Sequence, residues 1–397
     1  MKYDLVFEGG GAKGMVFVGA MQEFEARGHT YQRLLGTSAG AITATLLAAG
    51  YSAAEMLAVL AEREDGKSVF EGFMGIPTRF ERAEIEQSLT YELLQNVDIP
   101  LIPEVVEARF DHLLINALMA QPGYRNVFSF VELGGWFSAH RFVSWLERKL
   151  DTGQFRGRAR QFSRMTLAEF FAATGTELTV IATDTIGERM LVLNHITAPN
   201  CPVVWAVRMS MSIPLIWPEV EWLAEWGQYQ NKDITGNLIV DGGLLSNFPL
   251  ELFVSNHPDV LAVMGSETGD AILGLLIDET LPVEGAPAIA AAGLEARLGK
   301  LRIVRRITRL VNTATQAHDK IVIDKFKNLV ARLPAKGFGT TEFDMSNERR
   351  AALVAAGQKH TADFFNRVSI AALPPAPDAD VADYADRVAI RILQTHE

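Results

Sequence analysis

The chain has 397 residues, of which 48% are apolar and 21% charged, the balance of a soluble globular protein with ample material for a core. Its formal net charge of −11 argues against a general nucleic-acid binder, so we expect no nucleic-acid duplex as a partner. The single cysteine, Cys201, cannot form an internal disulfide and is predicted to be a buried small residue. This cysteine usage favours a reducing compartment and predicts a cytoplasmic protein.

Neither the N-terminus nor any apolar stretch predicts insertion into a membrane. Asp4 and Glu8 lie in and beside the first apolar segment, which does not fit a secretory signal. Residues 39–61 are apolar but contain Glu55 and consist largely of Ala and Thr, which indicates a buried helix. We therefore expect only peripheral contact, with the inner face of the membrane.

The first fifty or so residues predict two strand–turn–helix units. Residues 3–7 predict a strand that stops at Glu8, and a helical pattern follows from Met15 to Arg27. A second short strand, Arg33–Leu35, leads into another glycine turn and another helix. Two such units in succession predict an α/β sheet with parallel neighbours.

The remaining chain alternates between helical and strand-forming regions. Aromatic residues and the absence of long β-branched runs predict a mostly helical insertion at about 70–160. From about Asp270 we expect helices, with a Pro/Ala linker at Leu373–Asp380 before a final helix. Between these regions, strands are predicted at Glu177–Ala182, Met190–Leu193, Val203–Val207, Leu238–Val240 and Val260–Met264.

The first glycine-rich site, GGGAKG at residues 9–14, directly follows the first predicted strand. It matches G-x-G-x-x-G, but Tyr31–Leu35 contains no acidic residue to bind a ribose, and Lys-Ser does not follow Gly14. Consecutive glycines before a helix can instead direct backbone N–H groups toward an anion, including the oxyanion of acyl transfer.

The second site, Gly36-Thr37-Ser38-Ala39-Gly40, is a G-x-S-x-G sequence on a predicted strand-to-helix turn. Such a turn lifts a serine Oγ clear of the backbone, and the glycines relieve the crowding that the turn creates. An α/β-hydrolase places its nucleophile after several strands, with an acid and then a histidine following. Ser38 follows a single strand–helix unit, so that plan does not fit.

The third site is Asp241-Gly242-Gly243, which follows the predicted strand Leu238–Val240. An Asp beyond a strand end lies where open α/β sheets place functional groups, and a desolvated carboxylate can accept a proton from a serine. The eight histidines offer no competitor in a comparable context, and His195 is the least easily dismissed of them.

Taken together, these residues resemble the patatin-like phospholipase family. That family combines a G-G-G-x-[KR]-G oxyanion loop, a G-x-S-x-G nucleophile turn and a D-G-[GA] aspartate, in the order found here. The resemblance covers about residues 3–265, including 182–184 and 208–220, with a weaker match at 339–357.

The resemblance implies a three-layer α/β/α fold with a mostly parallel central sheet. It does not specify the helical insertion or the helical C-terminal part, which the sequence pattern itself predicts. We expect a single patatin-like domain over residues 1–397. Its parts would be a core at about 3–70 and 160–270, the insertion at about 70–160 and the C-terminal extension at about 270–397.

The implied activity is that of a serine lipid acyl hydrolase of the phospholipase A or lysophospholipase type, without a metal or organic cofactor. Ser38 would be the nucleophile and Asp241 the general base, acting on phospholipid at a membrane surface. Backbone N–H groups of Gly10, Gly11 and Ala12 would bind the oxyanion. The other implied site residues are Gly9, Lys13 and Gly14 in the oxyanion loop, Gly36 and Gly40 in the nucleophile turn, and Gly242 and Gly243 beside the aspartate.

Several further residues have both a structural and a functional interpretation. Lys13 is either a solvated helix residue or a charge that supports the anion site. Asp184 is predicted to be structural. Trp217, Trp222 and Trp226 are predicted to be core residues, with the border of an acyl channel or a bilayer contact as the alternative.

Four arginines, Arg302, Arg305, Arg306 and Arg309, form a basic stripe at helical spacing. The stripe predicts a solvated helix face, with contact to lipid phosphate or to a cyclic nucleotide activator as the alternative. An activator of this kind is known for some bacterial patatin-like enzymes. An interface in a homo-oligomer is a further use of this helix.

Two other function classes stay open at this point. The chain could be a dinucleotide-binding oxidoreductase, or a catalytically silent lipid- or nucleotide-binding protein.

Overall fold

The computed structural model describes residues 1–95, 121–266, 268–287, 325–368 and 379–393. In this part of the chain, eight strands form one sheet in the order β12-β11-β1-β2-β7-β10-β9, with β8 also paired to β7. The strands, including two short hairpins outside the sheet, are β1 (Lys2–Phe7), β2 (Thr30–Thr37), β3 (Arg63–Glu64), β4 (Lys67–Ser68), β5 (Gln154–Phe155), β6 (Arg158–Ala159), β7 (Glu177–Asp184), β8 (Arg189–Leu193), β9 (Val220–Glu221), β10 (Leu238–Asp241), β11 (Ala271–Pro282) and β12 (Val330–Lys336).

Helices cover both faces of this sheet. The helices of the described residues are α1 (Val16–Ala26), α2 (Ala39–Ala48), α3 (Ala53–Leu60), α4 (Arg82–Glu86), α5 (Leu89–Gln95), α6 (Pro122–Glu132), α7 (His140–Asp151), α8 (Leu167–Thr174), α9 (Val203–Ser210), α10 (Glu251–Val254), α11 (Pro258–Met264), α12 (Asn347–Arg367) and α13 (Ala379–Leu393). Short 3-10 helices lie at Gly11–Met15, Val69–Met74, Ala224–Trp226 and Gly242–Leu244. Within the described ranges, no helix combines the length and the apolar character that a membrane crossing requires.

The central strands are apolar on both faces because each face packs against helices. Leu5, Phe7 and Leu34 join the core formed with α1, α2, α9 and α12. Their neighbours Val6 and Leu35 point the other way, into the core formed with α10, α11 and α13. This arrangement is the predicted three-layer α/β/α fold. The four central pairings β12–β11, β11–β1, β1–β2 and β2–β7 are parallel, which confirms the mostly parallel sheet.

Two predicted strands are helices in the structure. Val203–Val207 lies in α9 and Val260–Met264 in α11. Apolar runs as short as these carry no clear period that separates a helix from a strand. Pro202 at the N-cap and Pro258 at the first helical position instead favour helix initiation.

The C-terminal part contains the predicted helices as α12 and α13, but it is not helical throughout, because the region beyond residue 270 also supplies two strands of the sheet. β11 pairs with β1 along its outer edge, and β12 pairs with β11. The β11 sequence AILGLLIDETLP begins as a continuous apolar run, which is ambiguous between helix and strand until its neighbours are known. The final helix is confirmed as α13, whereas the greater part of the linker before it lies outside the described residues.

Helices α1 and α12 are in unusually close contact at two glycines. A Cβ atom at Gly357 would lie 2.1 Å from the Val16 carbonyl oxygen, and one at Gly19 would lie 1.8 Å from the Val354 carbonyl oxygen. Any larger residue at either position would push the two helices apart. Since α1 follows the glycine loop of residues 9–14, this contact also fixes the position of that loop.

We expect Gly357→Ala to lower the free energy of unfolding by about 1–3 kcal/mol, despite the higher helix propensity of alanine, because the added methyl overpacks the α1–α12 contact. The matched control is Gly123→Ala in α6, where no atom lies within 4 Å of the added Cβ. Urea denaturation of both variants measures the difference. Equal stability of the two would contradict the close helix contact.

Candidate active site

Ser38 lies on a strained turn between β2 and α2. Its backbone has φ 52° and ψ −119°, an unfavourable conformation for a residue with a side chain, and its N–H donates to Oγ of Ser210 at 2.9 Å. A Cβ at Gly36 would lie 2.3 Å from the backbone of Gly40, and one at Gly40 would lie 2.3 Å from the Phe7 carbonyl oxygen. Both glycines of the G-x-S-x-G sequence are therefore required for the backbone to close this turn.

Asp241 is the last residue of β10 and is 5% exposed, as is Ser38. Its N–H donates to the Ser212 carbonyl oxygen at 3.0 Å, and its Oδ1 accepts from the Gly243 N–H at 2.7 Å. Its Oδ2 is buried and makes no hydrogen bond of normal geometry with a described residue. One carboxylate oxygen is thus fixed by the backbone, and the other is left to accept a proton.

The register of β7 explains why Ser38 and Asp241 are neighbours. Thr37 of β2 pairs with Ile181, and Asp241 of β10 pairs with Ala182. Because β8 pairs with residues 180–184 on the other edge of β7, β2 and β10 must share one edge. The two strands therefore end at adjacent positions along β7, about 3.3 Å apart, from opposite directions.

Burial raises the pKa of the Asp241 carboxyl group to about 7. The cause is desolvation, which disfavours the charged form. The Ser38 hydroxyl, close enough to stabilise the charged carboxylate, and the Gly243 N–H both act in the opposite direction. The net result is a carboxyl group that exchanges its proton near neutral pH.

The glycine loop of residues 9–14 is held against Ser38 by Asn247. The Gly9 N–H donates to the Asn247 carbonyl oxygen at 3.1 Å, and Nδ2 of Asn247 donates to the Gly9 carbonyl oxygen at 2.8 Å. A Cβ at Gly9 would lie 3.2 Å from Cβ of Ser38. The loop, the nucleophile turn and the chain after Asp241 therefore meet at one place.

The structure corrects the predicted set of oxyanion donors. The Ala12 N–H is not free, because it donates to the Thr340 carbonyl oxygen at 2.8 Å. The Lys13 N–H donates to the Gly10 carbonyl oxygen at 3.2 Å. The N–H groups of Gly10 and Gly11 donate to no acceptor in the described part of the chain. Gly11, with φ +55°, adopts a conformation that favours glycine.

Lys13 is not a solvated helix residue. Its side chain is buried, and its Nζ forms an ion pair with Oε1 of Glu279 on β11. Gly14 is also buried and packs against Ala39, since a Cβ there would lie 2.6 Å from Cβ of Ala39. The positive charge near the loop is therefore partly compensated by a carboxylate.

His195 is placed away from Ser38 and Asp241. It follows β8, whose last residue pairs with Val180, so it lies toward the start of β7 and on its opposite edge. Its ring stacks on Phe171 with centroids 3.8 Å apart, and burial lowers its pKa. His195 contacts neither predicted catalytic residue.

The remaining predicted residues are structural where they are described. Trp217, Trp222 and Trp226 are all core residues, as predicted. Asp184 is buried and accepts hydrogen bonds from the backbone of its own turn and from Arg189. Cys201 is buried, and burial raises its pKa. The arginine stripe at Arg302, Arg305, Arg306 and Arg309 lies outside the described residues.

A sequence profile of the patatin-like phospholipase family matches residues 5–254. The match covers more than half of the chain and includes all three glycine-rich sites. The chain belongs to the patatin-like phospholipase family. This membership confirms the resemblance that the three motifs indicate and sets aside the interpretation of residues 9–14 as a dinucleotide fingerprint.

The uncharacterized protein YqhO of Bacillus subtilis (strain 168) is 24% identical over 374 residues, which is 92% of this chain and 99% of that protein. The probable lipid hydrolase 463L of Invertebrate iridescent virus 6 is 22% identical over 254 residues, 64% of this chain and 63% of that one. Among solved structures, VipD from Legionella pneumophila is similar at 18% identity and a TM-score of 0.43, covering 92% of this chain and 67% of VipD. The type III effector ExoU of Pseudomonas aeruginosa is similar at 16% identity and a TM-score of 0.37, covering 92% of this chain and 53% of ExoU.

Sequence reasoning missed four residues that position this site. Ser210 and Ser212 hold the backbones of Ser38 and Asp241, and both lie in the segment RMSMSIPLIWP, which the family resemblance includes. Asn247 follows the D-G-G motif by four residues and could have been found in the same way. Thr340 acts through its carbonyl oxygen, for which no side-chain signal exists.

We expect the Asp241→Asn variant to be more stable than the unmodified protein, and we expect this gain to be larger at pH 8 than at pH 5. The folded-state pKa of Asp241 lies above its ordinary value of 3.8, so its contribution to stability is complete below about pH 4 and is lost as pH rises through about 7. The gain in free energy of unfolding should be about 2–3 kcal/mol larger at pH 8 than at pH 5. Urea denaturation at both pH values measures it, with Asp344→Asn at an exposed position as the control. An equal effect at pH 5 and pH 8 would refute the raised pKa.

Proposed function

We propose that this protein is a serine acyl hydrolase that cleaves fatty-acyl esters of phospholipids through Ser38 and Asp241. The observation that carries the proposal is the meeting of a strained serine turn and a buried carboxyl group of pKa about 7 at neighbouring positions of β7. A base is most effective when its pKa is near the working pH. Family membership supports the choice of a lipid ester as substrate.

In the proposed reaction, Oγ of Ser38 attacks the ester carbonyl carbon while Oδ2 of Asp241 accepts the hydroxyl proton. The N–H groups of Gly10 and Gly11 donate to the oxyanion of the tetrahedral intermediate. The carbon–oxygen bond to the alcohol then breaks, and Asp241 returns the proton to the leaving alcohol. A water molecule, deprotonated by Asp241, releases the fatty acid from Ser38 by the same steps.

The proposal includes peripheral contact with a lipid surface. On α6, the side chains of Tyr124, Val127 and Val131 follow i, i+3, i+7 spacing and are about half exposed. An apolar stripe of this kind supports binding to the interface of a bilayer. The predictions of a cyclic nucleotide activator and of a homo-oligomer both rest on the arginine stripe. The stripe lies outside the described residues, so both remain predictions.

Reaction with a fluorophosphonate probe tests the nucleophile, because only an activated serine reacts. We expect the unmodified protein to be labelled, Ser38→Ala to lose labelling completely, and Asp241→Asn to be labelled at least 10²-fold more slowly, because the loss of a general base costs about 10²–10⁴ in rate. Phospholipid hydrolysis should fall in parallel. Ser266→Ala, at an exposed position, is the matched control and should behave like the unmodified protein.

Three results would contradict this assignment. Labelling of Ser38→Ala at the normal rate would place the nucleophile elsewhere, and no labelling of the unmodified protein would favour a catalytically silent binding protein. Normal turnover of Asp241→Asn together with inactivity of His195→Ala would show that His195, and not Asp241, is the base.

The raised pKa of Asp241 also predicts the pH dependence of the reaction. Asp241 must be ionised to accept the Ser38 proton, so kcat/KM should rise with pH, pass its midpoint near pH 7 and fall about tenfold per unit below it. Hydrolysis of a soluble ester between pH 5 and pH 9 measures this profile. A profile that is flat from pH 5 to pH 8 would exclude a base with this pKa.

A further inference from the structure

A narrow apolar cavity of about 70 Å³ adjoins the candidate site. On one side it is lined by Gly11 and Ala12 of the glycine loop and by Ala39, the residue after Ser38. On another side it is lined by aromatic rings, among them Phe73, Trp145 and Phe343. None of its lining residues in the described part of the chain is charged. Its chemistry therefore fits a hydrocarbon chain attached to the ester on which Ser38 would act.

The aromatic side of the cavity is a connected cluster of rings. The ring centroid of Phe73 lies 5.0 Å from that of Trp145 and 6.0 Å from that of Phe343. Phe343 also lies 6.0 Å from Trp217 in the core. The cluster joins the insertion, which carries Phe73 and Trp145, to the segment between β12 and α12, which carries Phe343. It lines the cavity with rings from two separate parts of the chain.

The size of the cavity limits what it can hold. A cavity of roughly 150 Å³ is large enough to bind benzene, so one of about 70 Å³ accommodates only a few methylene groups. A long acyl chain requires more room than the closed ring cluster leaves. Because each methylene that enters an apolar site strengthens binding about fourfold, the length of this cavity has a direct effect on which esters are preferred.

Phe343 is held in place independently of the cavity. Its segment is anchored by Arg349, whose Nε donates to Oε1 of Glu342 at 2.6 Å and whose Nη2 donates to the Gly337 carbonyl oxygen at 2.8 Å. The same segment presents the Thr340 carbonyl oxygen to the Ala12 N–H. The wall formed by Phe343 is therefore fixed relative to the glycine loop.

We propose that Phe343 closes an acyl-chain pocket beside Ser38 and sets the length of the acyl chain that this protein prefers. The inference rests on the proposed function, since it assigns a substrate group to the same site. Removing the Phe343 ring opens the cavity toward Trp217, and a larger ring at this position shortens it. Phe70, Phe73 and Trp145 form the packed interior of the insertion and line the cavity beside Phe343.

Hydrolysis of p-nitrophenyl esters with acyl chains of increasing length tests this proposal. In Phe343→Ala, the ratio of kcat/KM for the longest to the shortest chain should rise at least tenfold over that of the unmodified protein. In Phe343→Trp, the ratio should fall. Phe338→Ala is the matched control, because Phe338 lies in the same segment, is equally buried and packs on the Arg349 guanidinium, but does not line the cavity.

A binding measurement separates failure of this inference from failure of the proposed function. Ser38→Ala protein, with and without Phe343→Ala, is titrated with a fluorescent fatty acid that is then displaced by fatty acids of different lengths. Opening the pocket should tighten binding of the longer acids at least tenfold relative to the shorter ones, whether or not the unmodified protein hydrolyses esters.

Three outcomes overturn the proposal. They are an unchanged length profile in both Phe343 variants, the same shift in Phe338→Ala, and displacement that is independent of acid length. Inactivity of the unmodified protein toward every ester and toward a fluorophosphonate, with length-dependent displacement intact, overturns the proposed function alone. Thermal unfolding of each variant shows whether it folds. If Phe343→Ala does not fold, Phe343→Trp still tests the role of this wall, because it should shorten the cavity rather than lengthen it.

Discussion

Strand β7 pairs along one edge with two strands that run in opposite directions, and the candidate site depends on this pairing. Because β2 ends opposite Ile181 and β10 ends opposite Ala182, the residue after one strand and the last residue of the other are brought side by side. The backbone of β7 therefore sets the separation of Ser38 and Asp241. Ser210 and Ser212 also fix this separation, because the first accepts a hydrogen bond from the Ser38 N–H and the second from the Asp241 N–H.

Placing a carboxyl group at this junction has an energetic cost. Taking an ionised carboxylate out of water costs several kcal/mol unless polar groups compensate, and Asp241 has a backbone donor on only one of its oxygens. The incomplete compensation raises its pKa to about 7. The same feature that weakens the folded state at high pH thus gives Asp241 a pKa that suits the base of the proposed reaction.

The sequence predicts the site better than it predicts the strands around it. Three short motifs indicate Ser38, Asp241 and the glycine loop because each requires particular residue types, glycine above all, for a particular backbone path. Val203–Val207 and Val260–Met264 are short and apolar, so their periodicity alone does not show that they are helices. The contact of Ala12 with Thr340 joins backbone atoms far apart in the chain, so residue identity contains no information about it.

All three motifs of the candidate site lie within the family match, but residues beyond the match complete the site. The match ends at residue 254, yet β11 covers the outer edge of β1 and α12 packs on α1 through Gly357. The glycine loop lies between β1 and α1 and is contacted by Glu279 and Thr340, both from this later part. A chain that ended at residue 254 would keep every motif but would leave β1 unpaired on one edge and free the Ala12 N–H. The C-terminal part therefore shapes the glycine loop and, through Phe343, the adjoining cavity, although it contains none of the three motifs.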